Sequence, residues 1–202
     1  MSRPKEHNED TAAALLDAAE RIAEAEGLDA LSVRRVANEI GATTRAVYSL
    51  FGSKDGLVTA LGVRAFDLLG TAVADVRQTP DPAADLVEAG LVFRRFAREH
   101  PALFHIGVQH IDVPAESERG FAGAAGRALA VLHDRIRRLG DAARLGERGV
   151  EEAAWEFHAL CEGLASLEAR CLLRPEDADH LWRDALSALV RGWAIHDPSA
   201  AV

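Results

Sequence analysis

The chain has 202 residues, enough for one compact domain or for a small head domain on a larger body. Its net charge of −9 argues against broad nonspecific binding to nucleic acid, because phosphate groups attract positive charge. The first ten residues are polar, no apolar run approaches the roughly 18 residues that a membrane span needs, and we therefore expect a cytoplasmic protein without a membrane segment.

The first predicted helix follows a short polar arm. We expect residues 1–8 to form a disordered tail. From Asp10 to Glu26 the apolar residues recur at helical spacing, and Gly27 follows the last of them, where a glycine commonly ends a helix. The sequence therefore predicts one amphipathic helix that supports whatever follows it.

Two short helices with a tight turn between them are predicted within residues 32–51. Ser32 is a good N-cap residue, and apolar residues follow it at helical spacing. Gly41 stands where a helix ends in a left-handed turn, and Thr43 can cap the next helix. This is the pattern of a helix-turn-helix, whose second helix lies in the major groove of DNA.

A likeness to a known family is carried by residues 33–57, V-R-R-V-A-N-E-I-G-A-T-T-R-A-V-Y-S-L-F-G-S-K-D-G-L. This run resembles the DNA-binding signature of the TetR family of bacterial regulators, and the resemblance covers about the first 60 residues. The matching features are the spacing of Ala37 and Gly41, the pair Tyr48 and Phe51, and the opening of the next helix at Ser53, Lys54, Asp55 and Leu57. The resemblance implies a transcription regulator, usually a repressor, with a ligand-binding body.

Seven polar residues are predicted to contact DNA. The stretch from Ser32 to Asp55 carries a local excess of two positive charges. Arg45 can read O6 and N7 of guanine, a contact that contributes about 1–3 kcal/mol of discrimination, and Tyr48 suits a phosphate. The resemblance implies a phosphate contact for Lys54 and a base contact for Arg34. The predicted DNA-binding residues are Arg34, Thr43, Thr44, Arg45, Tyr48, Ser49 and Lys54.

Six further helices are predicted after the first three, so the fold class is all-α with about nine helices. Their expected spans are Ser53 to Arg77, Pro82 to Glu99, Pro101 to Val108, Glu118 to Leu139, Val150 to Leu173 and Glu176 to Ile195. Proline cannot continue a helix, so the stretch from Thr79 to Pro82 separates two of them, and Asp112 to Glu118 is expected to be a loop. We expect a helix-turn-helix DNA-binding domain at 1–56 and a ligand-binding and dimerisation domain at 57–202.

The last two predicted helices carry wider apolar faces than one hairpin needs. These apolar faces consist of Ala154, Phe157, Leu160, Cys161, Leu164 and Leu167 on the first, and Leu181, Ala185, Leu186, Leu189, Val190 and Trp193 on the second. The surplus predicts a homodimer in which two such hairpins form a four-helix interface. Trp155, His158 and Gly163 also resemble the pattern of the WHG class of TetR C-terminal domains.

A small-molecule pocket is expected in the body, with an effector that the sequence does not identify. Its candidate lining residues are Phe93, Phe96, Phe104, His105, Val108, Trp155 and His158. Each of them can equally be an ordinary core residue.

Catalytic and metal chemistry have little support in the sequence. No nucleophile motif, phosphate-binding glycine loop or dinucleotide fingerprint occurs, so we expect neither an enzyme nor a cofactor. His158 with Cys161 or Glu162 has the spacing of metal ligands on one helix face, but no histidine spacing matches a closed zinc site, so no metal is predicted.

The favoured hypothesis is a homodimeric regulator that binds a palindromic operator and is released by a small-molecule effector. The alternative is a helical small-molecule or metal-binding sensor without operator binding.

Overall fold

The computed structural model describes residues 3–109, 118–142 and 144–194, and within those ranges the regular structure is entirely helical. The α-helices are α1 Arg3–Glu26, α2 Val33–Glu39, α3 Thr44–Phe51, α4 Lys54–Ala74, α5 Pro82–Glu99, α6 Pro101–Phe104, α7 Glu118–Asp141, α8 Val150–Ala169 and α9 Pro175–Ala194. A 3-10 turn at Leu28–Ala30 and a π-helical turn at His105–Gln109 complete the described elements. The prediction of an all-α fold with about nine helices is confirmed.

The chain divides into two compact units. The first unit combines Met1–Phe66 with His100–Ala125, and the second combines Asp67–Glu99 with Gly126–Val202. Helices α4 and α7 therefore contribute to both units, and α6 belongs to the first. The division at residues 56 and 57 that the sequence predicts stays a prediction.

The core of the first unit lies where α1 packs against α2, α3 and α6. Helix α1 presents one continuous apolar stripe to these neighbours, as its spacing predicts. The stripe consists of Leu15, Ala18, Ala19, Ile22 and Ala23, each at most 5% exposed. Glu24 on the same helix accepts hydrogen bonds from the backbone N–H groups of Ala102 at 2.9 Å and Leu103 at 3.2 Å, and so satisfies the N-terminus of α6.

The core of the second unit is the packing of α5 against the α8–α9 hairpin. Gly90 on α5 allows the close approach, since a Cβ atom there would lie 2.6 Å from Cδ1 of Leu186. Trp182 and Trp193 on α9 are buried, and each donates its indole N–H to a carboxylate on α8, Glu168 at 3.0 Å and Glu156 at 2.5 Å.

One buried arginine ties the three helices of this second core together. Arg94 on α5 donates to Glu168 on α8 through Nε and Nη2, both at 2.8 Å, and it also pairs with Asp179 on α9. Its guanidinium lies 5.9 Å from the ring centre of Trp182. The hairpin is therefore joined to α5 by charge as well as by apolar packing.

The start of α1 and the end of α4 differ from the prediction for identifiable reasons. Helix α1 begins at Arg3, so the prediction of a disordered arm is wrong for residues 3–8, whereas residues 1–2 lie outside the described part of the chain. Pro4 occupies a first-turn position, where a missing N–H costs no hydrogen bond, and extension of an existing helix is favourable. Helix α4 ends at Ala74 instead of Arg77, where Arg135 donates to the backbone carbonyl groups of Ala74 and Val76.

Helix α8 also ends earlier than predicted. It stops at Ala169 instead of Leu173, because Cys171 adopts a left-handed conformation with a φ of 56°. The N–H groups of Cys171 and Leu172 donate back to Glu168 and Leu167, each at 3.0 Å, which is the Schellman arrangement. The predicted loop from Asp112 to Glu118 lies outside the described residues except for Glu118.

Helix α4 alone among the described helices is long and apolar enough to cross a membrane by length and composition. Its most apolar window has a mean hydropathy of 1.5, and 39% of that window is buried. The expectation that no apolar run approaches the length of a membrane span overlooked this helix. The buried positions include Leu57, Leu61, Ala65 and Leu69 at helical spacing. Helices of soluble proteins meet the same criterion, and the spacing of the buried positions is that of a helix that packs one face on a core.

Candidate nucleic-acid interface

Side-chain caps define the two short helices of the head. The Oγ of Ser32 accepts a hydrogen bond from the backbone N–H of Arg35 at 3.3 Å, which starts α2. The Oγ1 of Thr43 accepts from the N–H of Ala46 at 3.2 Å and starts α3. Both predicted N-caps are therefore present, and they place the beginning of each helix at a definite residue.

A glycine turn sets the direction of α3 relative to α2. Gly41 has a φ of 67°, a conformation that side-chain-bearing residues adopt only with strain. Its N–H donates to Asn38 at 3.2 Å, and the N–H of Ala42 donates to Ala37 at 2.8 Å, so α2 ends in a Schellman motif. The helix-turn-helix that the sequence predicts is confirmed.

The apolar faces of these helices are fully buried, which leaves their polar faces outward. Val36, Ala37 and Val47 have no exposed surface. All seven predicted DNA-binding residues are exposed, namely Arg34, Thr43, Thr44, Arg45, Tyr48, Ser49 and Lys54. Tyr48 is 55% exposed, so its ring and hydroxyl group are accessible on the same surface.

The positive charges of the head differ in how they are engaged. Arg35 pairs with Glu26, and this hydrogen bond raises the pKa of Arg35 and lowers the pKa of Glu26. Arg34, Arg45 and Lys54 form no ion pair within the described part of the chain. Three cationic side chains are therefore available to bind a polyanion, whereas Arg35 links α2 to the end of α1 through its ion pair with Glu26.

Lys54 stands at the start of α4, directly after another cap. The Oγ of Ser53 accepts from the N–H of Gly56 at 2.9 Å. Backbone N–H groups and the helix dipole make such a position favourable for a phosphate, and the ammonium of Lys54 adds a full charge.

An open depression of about 330 Å³ beside α2 is lined by Ser32, Arg34, Arg35, Asn38 and Glu39. Arg35 was not predicted to have a role, because its pairing with Glu26 is visible only in the folded chain.

Three of the four predicted pocket residues in the second unit, Phe93, Trp155 and His158, form one aromatic cluster. The ring of His158 lies 5.8 Å from that of Phe93 and 6.0 Å from that of Trp155, both edge-on. Trp155 is 53% exposed, whereas Phe93 and Phe96 are buried. Burial lowers the pKa of His158, while the carboxylate of Glu162, 3.5 Å from Nε2, opposes that shift.

The other three predicted pocket residues belong to the first unit. Phe104 is buried, His105 is exposed and Val108 is half-buried. They lie in and beside the π-helical turn, where Gly107 packs closely on α4: a Cβ atom there would stand 2.7 Å from that of Ala65.

Metal ligation finds little support among the described residues, where no three histidine, cysteine or acidic side chains are grouped to hold an ion. Cys161 is buried, and its burial raises the pKa of its thiol, which keeps the sulfur protonated and a poor ligand.

Two family models match the chain. Residues 15–61 match the model described as "Bacterial regulatory proteins, tetR family". Residues 86–189, just over half of the chain, match "Tetracyclin repressor-like, C-terminal domain". The chain belongs to the TetR family. It is accordingly a DNA-binding transcription regulator and not an enzyme, and the helix-turn-helix described above is the TetR head. The identification from residues 33–57 is confirmed.

Solved structures share the TetR fold with this chain. A protein with unknown function from Rhodococcus sp. RHA1 is similar with a TM-score of 0.80 and 23% identity, over 91% of this chain and 95% of that one. The TetR family transcriptional regulator PfmR from Thermus thermophilus has a TM-score of 0.66 and 21% identity, over 88% and 97%. A putative TetR family transcription regulator from Shewanella sp. PV-4 has a TM-score of 0.70 and 19% identity, over 90% and 96%. A comparison with curated proteins found no match.

Proposed function

We propose that this TetR-family chain is a cytoplasmic, homodimeric repressor that binds a palindromic operator and releases it when a small molecule binds its body. The observation that carries the proposal is helix α3, which buries Val47 completely and exposes Arg45 and Tyr48. A helix held in this way offers its N-terminal polar residues to the edges of base pairs.

Each exposed residue of the head has a distinct part in operator binding. Arg45 reads a guanine, and Thr43, Thr44 and Ser49 contact base edges or the adjoining backbone. Tyr48 and Lys54 bind phosphates, while Arg34 reaches a base from α2. Two heads of a dimer would occupy half-sites about 34–36 Å apart or somewhat more.

Exposed apolar side chains on the last two helices support the homodimer. Trp155 is 53% exposed, and Leu167 and Leu181 are each 38% exposed. Leu172, which follows α8, is 58% exposed. Pairing the α8–α9 hairpin with its copy would remove this surface from water and form a four-helix interface.

The aromatic cluster of Phe93, Trp155 and His158 is the starting point for the effector site. An apolar pocket with a few polar groups is typical of small-ligand sites, and the imidazole of His158 provides such a group. Its position with Trp155 and Gly163 is the basis for proposing a WHG-like ligand-binding class. By linkage, an effector that weakens operator binding must itself bind less tightly to the operator complex.

The alternative function is a helical small-molecule or metal-binding sensor whose head no longer binds an operator. The exposed cations of the head favour the repressor. Elemental analysis that finds bound metal, together with a melting temperature that a chelator lowers, would favour the sensor instead.

Fluorescence anisotropy with DNA from upstream of the protein's own gene tests the proposed function. We expect specific binding that weakens as salt rises, and a loss of about 5- to 150-fold in Arg45→Ala, the equivalent of about 1–3 kcal/mol. Arg137→Ala is the matched control, because Arg137 is exposed on α7 and pairs only with Asp134 among the described residues. An absence of specific binding at moderate salt, or equal affinity in both variants, would contradict the assignment.

A further inference from the structure

A groove beside the end of α4 combines apolar walls with arginine side chains. It has a volume of about 360 Å³, within the usual range of small-ligand sites, and all its lining residues belong to the second unit. They are Val76, Arg77 and Thr79 after α4, with Ala84, Asp85, Glu88, Val92 and Arg95 on α5. We call this the α4–α5 groove.

The acidic residues of the α4–α5 groove are already paired. Asp85 accepts from the backbone N–H of Thr79 at 2.8 Å, from its hydroxyl at 2.6 Å and from Arg138 at 2.7 Å. Glu88 pairs with Arg183 at 2.9 Å. Both negative charges are therefore offset by arginines outside the lining.

The basic residues of the groove, unlike its acidic residues, have no ion-pair partner among the described residues. Arg77 and Arg95 are exposed, and neither forms an ion pair with any residue that the structure describes. The lining therefore presents two uncompensated guanidinium groups beside the apolar side chains of Val76, Ala84 and Val92. Guanidinium groups are well suited to carboxylates, which they bind through parallel hydrogen bonds.

A third arginine, buried and bonded to the groove residue Val76, adds to this positive charge. Arg135 on α7 is 4% exposed, and its Nη2 donates to the carbonyl groups of Ala74 at 3.0 Å and Val76 at 2.6 Å. Its Nε and Nη1 are buried without a hydrogen-bond partner. A buried cation with unused donors is costly, and a nearby anion would reduce that cost. Val76 both accepts from Arg135 and lines the groove, so the two features adjoin.

We propose that the α4–α5 groove binds a small organic anion, a carboxylate with an apolar portion. Arg77 and Arg95 bind the carboxylate, and Val76, Ala84 and Val92 contact the apolar portion. The charge of Arg135 strengthens the attraction through the adjoining wall. This site is separate from the aromatic cluster around His158, which shares none of its lining residues.

Occupation of this groove also has a regulatory consequence, which rests on the proposed function. Arg135 holds the carbonyl groups at the end of α4, and α4 runs from the first unit into the second. The negative charge of a bound anion competes with these carbonyl groups for the guanidinium of Arg135, and so changes the interactions at the end of the helix that begins beside the DNA-binding residues. We therefore expect an anion in the groove to alter operator affinity.

Isothermal titration of the full-length protein with sodium octanoate tests the site. We expect binding that Arg95→Gln and Arg77→Gln each weaken by about tenfold, the equivalent of about 1.4 kcal/mol. Arg137→Gln, which removes an exposed arginine outside the groove, should bind as the wild type does. Octan-1-ol and octylammonium chloride, with the same chain and a different charge, should bind at least about tenfold more weakly than octanoate.

The results that overturn the proposal are equally definite. They are no octanoate binding, equal binding by the groove variants and Arg137→Gln, or equal binding of octanoate and octylammonium. Anisotropy titration of operator DNA with the same preparations separates this inference from the proposed function. Octanoate binding without DNA binding would refute the repressor alone, whereas DNA binding without octanoate binding would refute only the groove site.

Discussion

The head and the α8–α9 hairpin of this TetR-family protein both bury an apolar stripe, yet they are held in place by different means. In the head, caps at Ser32 and Thr43 and the turn at Gly41 act over three to five residues. In the hairpin, the decisive contact joins Arg94 to Glu168, 74 positions later. The head is therefore specified by local chemistry, and the hairpin by contacts that exist only once the chain has folded.

Removal of Arg94 should give the largest effect on stability and confine it to the second unit. In Arg94→Met, Glu168 stays mostly buried and keeps only the exposed and more distant Arg98 as a cation, so we expect the free energy of unfolding to fall by about 3–5 kcal/mol. Urea denaturation measures the loss. Arg98→Met is the control: Arg98 is 62% exposed and 3.8 Å from Glu168, so its loss should cost less than about 1 kcal/mol. Similar costs in both variants would refute the special role of Arg94.

Acid should weaken the second unit through the same contacts. Hydrogen bonds from Arg94 lower the pKa of Glu168 despite its burial; burial alone would raise the pKa of Asp85, but hydrogen bonds from Thr79 and Arg138 outweigh it. Both carboxylates thus have folded pKa values below their unfolded values of about 4. Their contribution to stability is fully present above about pH 4 and is lost as the pH falls through the folded pKa values.

The variant Glu168→Gln tests this pH dependence. We expect its urea midpoint to fall less steeply than that of the wild type between about pH 6 and about pH 3, since one of the responsible carboxylates is gone. Glu151→Gln, at an exposed position on α8, should keep the wild-type slope. An unchanged slope in Glu168→Gln would show that this carboxylate does not contribute.

Substitution of one glycine in each region should have smaller effects on stability and should distinguish a tertiary contact from a local turn. Gly90→Ala forces a Cβ atom against Leu186, so we expect a cost of about 1–3 kcal/mol from overpacking. A Cβ atom at Gly41 meets no atom within 4 Å, so Gly41→Ala should cost only the roughly 1–2 kcal/mol of a left-handed residue. Thermal unfolding measures both. In a double-mutant cycle with Leu186→Ala, which is itself destabilising, the cost of Gly90→Ala should shrink and the cost of Gly41→Ala should stay the same. Equal coupling of both glycines to Leu186 would refute the distinction.

The predictability of each region follows from the range of its interactions. The helix-turn-helix, its caps and the exposure of all seven DNA-binding candidates were predictable, because capping and amphipathic spacing act within a few residues. The end of α4 was not, since it depends on Arg135, about 60 residues away in the chain. The end of α8 was also missed, because the left-handed residue there is Cys171 instead of the glycine that usually marks such a stop.

The candidate sites also differ in how far the sequence predicted them. Phe93 and His158 come together as the sequence suggested, but Trp182, a fully buried ring that hydrogen-bonds Glu168, was not foreseen. The α4–α5 groove has no sequence signature at all, because Arg77, Arg95 and Arg135 occupy three separate helices or their ends.

By itself, the sequence determined the all-α class, the family and the outward face of the head, since periodicity, caps and turn residues are read from neighbours along the chain. The tertiary structure decided which charges are paired. It joined Arg94 to Glu168 and Arg138 to Asp85, and left Arg135 buried with unused donors. The physical reason is that an ion pair depends on distance and burial in space, and neither is set by the spacing of residues along the chain.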